Sequence, residues 1–155
     1  MKKILNPWID IEGYNCFGCA PGNQHGLQME FYENGDEIVN KWTPEKQHQG
    51  WLNTLHGGIQ CALLDEIAAW VVIKKLKTCG VTSRMDTRFL KPVDTTAGEI
   101  TIRAKLKEMK RNIAIIEAQT ENGANEICAK ATIYYYTFSQ EVAKEKYYFK
   151  DLTTE

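Results

Sequence analysis

The first regular pattern along the chain is an alternation of apolar and polar residues. Leu27, Met29 and Phe31 alternate with more polar positions, an Asn-Gly-Asp turn follows at residues 34–36, and a second apolar run extends from Ile38 to Trp42. Alternation with a period of two places the apolar side chains on one face of a strand. Asn-Gly between two such runs is typical of a tight turn. This segment therefore predicts a β-hairpin.

The pattern becomes helical between Gly57 and Lys77. Apolar residues recur there at spacings of three and four, and further apolar positions extend around most of the circumference. A helix with this distribution is predicted to be buried, because it has no broad polar face to present to water. Lys74, Lys75 and Lys77 suit its C-terminal end, where the helix dipole favours positive charge.

A period of two returns after the helix and indicates four strands. The first strand has one predicted face that consists of Val81, Ser83, Met85, Thr87 and Phe89. The others are expected at about residues 100–106, 112–120 and 127–138, with turns at 110–112 and 121–123. Strands joined by short turns pair mostly antiparallel. The order ββαββββ therefore predicts an α+β fold, in which an antiparallel β-sheet wraps around one long central helix.

Length and charge limit the classes of function. We expect the 155 residues to form a single domain, with a core at roughly 16–138 and a terminal helix or tail at 139–155. The 19 basic and 20 acidic residues provide no overall field that would attract nucleic acid or an anionic membrane. No segment has the length and apolarity of a signal peptide or a membrane helix. Five cysteines, an odd number, favour free thiols in the cytoplasm.

Candidate chemistry is concentrated where the predicted helix begins, at His56, Gly57 and Gly58. Two glycines that open a helix leave backbone N–H groups unobstructed at its positive end. Such donors suit a carbonyl oxygen that gains negative charge during a reaction. Close packing of the helix entry explains the glycines equally well, so the residues alone leave both explanations open.

Two adjacent carboxylates, Asp65 and Glu66, lie further along the same helix. Burial penalises a charged carboxylate, and a catalytic role would explain why one is retained there. The alternative is that helix curvature leaves one of the two in contact with solvent. Adjacent helical residues point about 100° apart, so both cannot face one site equally.

The spacing between Gly57 and Asp65 bears on assembly. Asp65 lies eight residues beyond Gly57, which is roughly 12 Å along the axis at ~1.5 Å per residue. Both residues of one chain therefore cannot contact the same carbonyl carbon. Two antiparallel copies of the helix, related by a two-fold axis, would bring Gly57 of one copy near Asp65 of the other. We therefore expect a homodimer or homotetramer if both residues act.

These residues carry a resemblance to a known family. The His-Gly-Gly motif at 56–58, with Asp65 nine residues after the histidine, resembles the acyl-CoA thioesterases of the hotdog superfamily, a group related to phenylacetate-pathway and 4-hydroxybenzoyl-CoA thioesterases. Residues 16–27, which begin Cys-Phe-Gly-Cys, resemble their N-terminal segment, and residues 85–93 resemble their strand after the helix. The resemblance covers about residues 16–138. It implies a hotdog fold and hydrolysis of an acyl-CoA, with no metal or tightly bound cofactor.

The resemblance also implies roles for single residues. Asp65 corresponds to the carboxylate that activates water or attacks the thioester, Gly57 to the backbone donor that polarises the carbonyl, and Thr82 to a strand hydroxyl that helps to orient water. His56 looks structural, because it fixes the turn that presents Gly57. At Gly50 the chain departs from several relatives that have Asn or Gln, so the resemblance assigns no contact to the leaving group.

The remaining candidates would bind substrate. His56, Gly58 and Glu66 adjoin the predicted centre, and basic side chains could hold the phosphates of coenzyme A. Arg84 and Arg88 are predicted to share a strand face with Thr82, and a basic turn is expected near the mouth of the site. The basic candidates are Arg84, Arg88, Lys91, Lys110 and Arg111. Ordinary solvated charge is the alternative for each of them.

Other residues allow different interpretations. Cys16 and Cys19 with His25 suggest zinc, but a closed zinc site needs four ligands and no second cysteine pair is spaced to complete one, so no metal is expected. A hotdog hydratase or dehydratase would use His48 or His56 together with Glu66 as acid and base. A non-catalytic protein that binds acyl-CoA or lipid is a third possibility.

Overall fold

A computed structural model describes residues 1–152 of the chain. The described part contains one seven-stranded antiparallel sheet and two α-helices. The strands are β1 (Lys2–Lys3), β2 (Tyr32–Asn34), β3 (Glu37–Trp42), β4 (Gly80–Phe89), β5 (Ile100–Lys110), β6 (Ile113–Glu121) and β7 (Ile127–Thr137). The helices are α1 (Gly57–Val71) and α2 (Gln140–Tyr147). The strand order β1-β2-β3-β5-β6-β7-β4 places β4 at one edge of the sheet. The predicted α+β class is confirmed.

The central helix is buried, as its apolar pattern predicted. Six apolar side chains of α1 are almost inaccessible to solvent, namely Leu63, Leu64, Ile67, Ala68, Trp70 and Val71. Strands β3 to β7 all contact α1, so the sheet wraps around it. The α-helix ends at Val71, however, and Val72–Leu76 form a π-helical turn before Lys77 adopts a left-handed conformation with φ of 54°. Lys74 and Lys75 in this turn form ion pairs with Glu33 of β2.

The N-terminal hairpin is shorter than its alternation predicted. Residues 35 and 36 form a two-residue turn between β2 and β3, but β2 begins only at Tyr32. Leu27, Met29 and Phe31 are buried although they lie outside the sheet. The backbone N–H groups of Leu27 and Met29 instead bond to the preceding loop, at the carbonyl oxygens of Phe17 and Gly18. The prediction of a strand at residues 27–31 was therefore wrong.

A β-bulge interrupts β4 near its start. Thr82 pairs with Tyr135 of β7 and Arg84 pairs with Tyr134, so Ser83 is an extra residue in the strand. An extra residue reverses the alternation of side chains beyond it. The prediction that Val81 and Ser83 share a face with Met85 is therefore wrong. Thr82 and Met85 point toward α1, whereas Arg84 points to the outer face of the sheet.

The C-terminal segment forms a helix after the last strand, in agreement with one of the two forms expected for it. The side chain of Ser139 caps α2 by accepting a hydrogen bond from the backbone N–H of Val142, at 3.2 Å. Residues 153–155 of the expected tail lie outside the described residues. None of the described helices has the length and apolar character needed to cross a lipid bilayer.

Candidate active site

The predicted carboxylate and the predicted strand hydroxyl meet in the structure. The hydroxyl of Thr82 on β4 donates a 2.6 Å hydrogen bond to Oδ1 of Asp65 on α1. Thr82 is exposed and Asp65 is half-buried, so water can reach the pair. The bulge at Ser83 directs Thr82, and not Arg84, toward the helix. A carboxylate held in this way by a neighbouring hydroxyl can orient water or act as a nucleophile.

Asp65 belongs to a stripe of residues on α1 that runs along the inner face of β4. Gly57, Cys61 and Asp65 follow one another at four-residue intervals, which places them on one side of the helix. An added Cβ at Gly57 would lie 3.6 Å from the ring of Phe89. The Cys61 thiol is 3.9 Å from the hydroxyl of Thr87. The helix and the edge strand therefore run in opposite directions. The narrow surface between them, which we call the strip, has Gly57 at one end and Asp65 at the other.

The residues of the His-Gly-Gly motif form the start of α1. Nδ1 of His56 accepts a hydrogen bond from the backbone N–H of Gly58, at 2.9 Å, and so caps the helix. The backbone N–H of His56 in turn bonds to the carbonyl oxygen of His48, at 2.9 Å. No group among residues 1–152 accepts a hydrogen bond from the N–H of Gly57, which lies at the positive end of the helix. Gly50 packs against the His56 ring, since a Cβ there would lie 3.3 Å from Cδ2.

His48 is structural in the same region. Its Nδ1 accepts a 2.9 Å hydrogen bond from the backbone N–H of Glu45, and its ring stacks at a tilt on Trp42, with centroids 4.7 Å apart. Burial lowers the pKa of His48, so the neutral ring that accepts this bond is favoured. Nδ1 of His48 and Nδ1 of His56 each already accept a hydrogen bond from a backbone N–H group. Neither histidine is therefore arranged as the base of a hydratase.

Glu66 faces away from Asp65. Its carboxylate accepts a 3.2 Å hydrogen bond from Nε1 of Trp70, and it packs directly on Gly18, where a Cβ would come within 2.3 Å. Burial raises the pKa of Glu66 to about 7, and the nearby charge of Cys16 acts in the same direction. The structure therefore separates Glu66 from the strip that contains Gly57 and Asp65, and it does not place Glu66 beside either histidine.

The arginines predicted on the Thr82 face lie on the opposite side of the sheet. The Arg84 guanidinium stacks on the ring of Tyr134 at 5.0 Å and bonds to Asp86 at 2.9 Å. Arg88 pairs with Lys130 across the strands, and both line an open cavity of about 630 Å³ on the outer face. The expectation that these arginines share a face with Thr82 was wrong, because a period of two does not reveal the bulge.

The other basic candidates are divided between the two ends of the sheet. Lys91 forms an ion pair with Glu126 in the loop between β6 and β7. Lys110 lies at the end of β5, 3.8 Å from Glu108, and Arg111 occupies the tight turn after it. That turn lies at the same end of the sheet as Thr82. The reason is that β5, β6, β7 and β4 are neighbours in this order, and each pairs antiparallel with the next. The five basic side chains therefore do not form one patch in a single chain.

Two further residues of the strip carried no separate signal in the sequence. Cys61 lies midway between Gly57 and Asp65, and it resembled any other small residue on an apolar helix. Tyr135 pairs with Thr82 from the neighbouring strand. Burial raises the pKa of Tyr135, and the negative charge of Asp65 adds to this effect, so the phenol stays protonated. Only the pairing of β4 with β7 could have identified Tyr135 as a neighbour of the carboxylate.

Comparison with known proteins gives one family match. The model of the thioesterase superfamily matches residues 52–129, which include α1 and the strip beside β4. No curated protein matches the chain significantly. The family match therefore covers the elements that carry Gly57, Asp65 and Thr82.

Several crystal structures are similar in fold. A thioesterase superfamily protein is 18% identical with a TM-score of 0.71, and the match covers 78% of this chain but only 62% of that one. A hypothetical thioesterase from Streptococcus pneumoniae, crystallised with coenzyme A, is 23% identical with a TM-score of 0.66 and coverages of 72% and 87%. A Streptococcus mutans protein bound to acetyl CoA is 16% identical with a TM-score of 0.68 and coverages of 84% and 97%.

Proposed function

The chain belongs to the thioesterase superfamily and has its hotdog fold, and on this premise we propose that it hydrolyses an acyl-CoA to coenzyme A and a carboxylic acid. The observation that carries the proposal is the 2.6 Å hydrogen bond between Thr82 and Asp65, at one end of a strip whose other end is the free N–H of Gly57. A similar protein from Streptococcus pneumoniae was crystallised with coenzyme A, which supports the same class of ligand here.

The proposed reaction needs an electrophilic and a nucleophilic side. A backbone N–H at the start of α1 polarises the thioester carbonyl and stabilises the negative oxygen that forms. Asp65 either removes a proton from the attacking water or attacks the carbonyl itself, and Thr82 keeps the carboxylate or the water in position. The carbon–sulfur bond then breaks, and the thiol of coenzyme A leaves with a proton. When water is the nucleophile, the acyl group leaves directly as the carboxylic acid. When Asp65 is the nucleophile, the acyl group remains on Asp65 as an anhydride, and a water molecule hydrolyses it to the carboxylic acid and the free Asp65 carboxylate.

We propose that the two sides come from two chains. Gly57 and Asp65 of one α1 are roughly 12 Å apart at ~1.5 Å per residue, which exceeds the reach of one carbonyl group. Strand β4 is a ten-residue edge strand, and its apolar residues Val81 and Phe89 are 48% and 53% exposed. A long exposed edge of this kind is a template for pairing with another chain.

Antiparallel association of β4 with its copy fits both observations. It would place two α1 helices side by side in opposite directions, with Gly57 of one copy near Asp65 of the other. Two equivalent sites would then form at the interface of a homodimer, or within each dimer of a tetramer. The odd number of cysteines favours the cytoplasm as the location of this assembly.

The direct test is release of free thiol from a panel of short-chain, aromatic and long-chain acyl-CoAs. The wild-type protein should release coenzyme A from at least one member of the panel, and Asp65→Asn should not. Asp36→Asn is the matched control, because Asp36 is an exposed aspartate in the turn between β2 and β3, away from the proposed interface. Binding of acyl-CoAs without hydrolysis of any of them would favour the non-catalytic alternative and contradict the proposal.

A further inference from the structure

The long N-terminal segment between β1 and β2 contacts the central helix in a region that takes no part in the proposed reaction. Residues 5–31 contain no regular strand or helix, and a segment of this length in a compact fold needs specific fastening. Phe31 stacks on Trp70 of α1, with ring centroids 4.6 Å apart. Beside this contact, the turn at Cys16–Cys19 lies against Glu66, which follows the proposed catalytic carboxylate in the sequence.

Three groups that bind metal ions converge there. The sulfur atoms of Cys16 and Cys19 and a carboxylate oxygen of Glu66 all lie within 4.8 Å of one another. Cys16 Sγ is 3.6 Å from Oε1 of Glu66. Cys19 is buried, whereas Cys16 and Glu66 are partly accessible to solvent. His25, which the sequence suggested as a partner of these cysteines, is not part of this cluster.

The partly accessible carboxylate of Glu66 has no cationic partner in the described part of the chain. No lysine, arginine or histidine among residues 1–152 forms an ion pair with it at 4.0 Å or less. Its hydrogen-bond partners are the indole of Trp70 and the weakly polar thiol of Cys16. Buried carboxylates in proteins are paired with cations or coordinate metals. A metal ion between Glu66 and the two sulfurs would supply the missing positive charge.

A hydrogen-bond donor lies beside the buried sulfur of Cys19. The Tyr14 hydroxyl is 3.0 Å from that sulfur, and it accepts a 3.0 Å hydrogen bond from Asn6, which leaves its own proton available to the sulfur. A donor beside a ligand atom fixes its orientation and stabilises its negative charge. The N-terminal segment therefore provides two sulfur ligands and a hydrogen bond that supports one of them.

We propose that Cys16, Cys19 and Glu66 bind a Zn²⁺ ion, with water as the fourth ligand, and thereby fasten the N-terminal segment to α1. Two thiolates and one carboxylate favour tetrahedral zinc over the hard cations, which prefer sites made of oxygen atoms. The ion would lie on the side of α1 away from the strip between Gly57 and Asp65. Its role is structural, and the proposal does not depend on thioester hydrolysis.

Metal content tests the proposal without any assay of activity. Protein purified under reducing conditions, stripped with a chelator and then dialysed against Zn²⁺ should retain about one zinc per chain by mass spectrometry, as expected for a single site with three protein ligands and one water. Replacement by Co²⁺ should give an absorption band from thiolate-to-metal charge transfer. Zinc should also raise the melting temperature of the stripped protein. Absence of retained zinc would overturn the proposal.

Variants identify the ligands. Cys16→Ser and Glu66→Gln should each abolish retention of zinc and the zinc-dependent rise in melting temperature. Cys79→Ser is the matched control, because Cys79 is a half-buried cysteine outside the cluster, and it should bind zinc as the wild type does. Undiminished zinc affinity in Glu66→Gln would overturn the three-ligand site. A Cys16–Cys19 disulfide that forms readily in a protein whose reduced form retains no zinc would show a redox pair instead.

Discussion

The Thr82 hydroxyl donates a 2.6 Å hydrogen bond to the carboxylate of Asp65, although the two residues lie on different elements at the open edge of the sheet. The bulge at Ser83 turns Thr82 toward α1, and the four-residue stripe on α1 turns Asp65 toward β4. This contact joins the helix to the edge strand at the point where we propose that a second chain completes the site.

Asp65→Asn should retain the fold and lose most of kcat, by ~100-fold or more, because an amide can neither accept the proton of water nor attack a carbonyl. Steady-state kinetics on the best acyl-CoA substrate, with circular dichroism to check folding, measures this. Asp36→Asn should keep wild-type kinetics. An active Asp65→Asn protein beside a folded but inactive Glu66→Gln protein would move the catalytic role to Glu66.

Thr82→Val should lower kcat by roughly 10-fold and change KM little. A hydrogen bond to a charged group contributes about 1.5–3 kcal/mol, and part of that is recovered when water replaces the hydroxyl at an exposed position. Thr82→Ser keeps the hydroxyl and should remain close to the wild type. If valine and serine variants lose activity equally, the methyl group of Thr82 matters for packing and the hydroxyl does not orient the reaction.

A mixture of two inactive variants should recover activity if each site uses two chains. Asp65→Asn removes the carboxylate, and Gly57→Val obstructs the helix N-terminus, although a Cβ at Gly57 meets only the ring of Phe89 at 3.6 Å within its own chain. After the two variants are unfolded together and refolded, about half of the dimers are hybrids, and each has one intact site. Activity should therefore reach about a quarter of the wild-type value. Recovery of none would place the site within one chain.

Neutralising the basic turn after β5 should weaken substrate binding and spare the chemistry. Arg111 has φ of 55°, so Arg111→Asn is preferred to alanine there, and it is combined with Lys110→Gln. KM for acyl-CoA should rise roughly 10-fold at low salt and less at high salt, because exposed phosphate contacts are screened. A short acyl-pantetheine thioester lacks the phosphates and should be unaffected.

The matched control for the basic turn is Lys144→Gln with Lys146→Gln, which removes the same charge from exposed positions on α2. It should leave KM unchanged at both salt concentrations. Equal increases in KM for acyl-CoA and acyl-pantetheine in the turn variant would show that the turn supports the fold instead of binding phosphate.

His48 should make the protein less stable in mildly acidic solution. Burial lowers its pKa below the usual value of 6.5, so the stabilisation from the neutral ring is complete above about pH 6.5 and is lost as the pH falls through the folded-state pKa. Protonation would also break the bond from Glu45 to Nδ1. In urea unfolding at pH 7.5 and 5.5, His48→Gln should lose less stability than the wild type. His25→Gln, which removes an exposed imidazole, should behave as the wild type does.

Periodicity was sufficient to predict the central helix and the antiparallel sheet, because spacings of three to four and of two report directly which side chains are buried. The same reasoning failed at Leu27, Met29 and Phe31, which are buried without belonging to a strand. Alternation records burial on one side of an extended chain, and it contains no information about the hydrogen-bond partner. In this protein the partner is a loop, not a neighbouring strand.

The candidate site could likewise be predicted only in part. Asp65 and Gly57 could be singled out from the residues, because a carboxylate on an apolar helix and a glycine entry are both unusual. Thr82 came only from the family resemblance, since the bulge at Ser83 that aims it is invisible in the pattern of residues. The contact of Cys16 with Glu66 joins positions 50 residues apart, and nothing local to either one predicts it.

In the proposed dimer, Cys61 would occupy a position unlike any other in the stripe. It is four residues from Gly57 and four from Asp65, and if those two residues exchange partners between copies, the residue midway between them faces its own counterpart across the rotation axis. Every atom added there would be added twice in the same space. The small side chain at residue 61 would then be a geometric condition for the two helices to approach, and a bulky replacement would oppose assembly while leaving each separate chain able to fold.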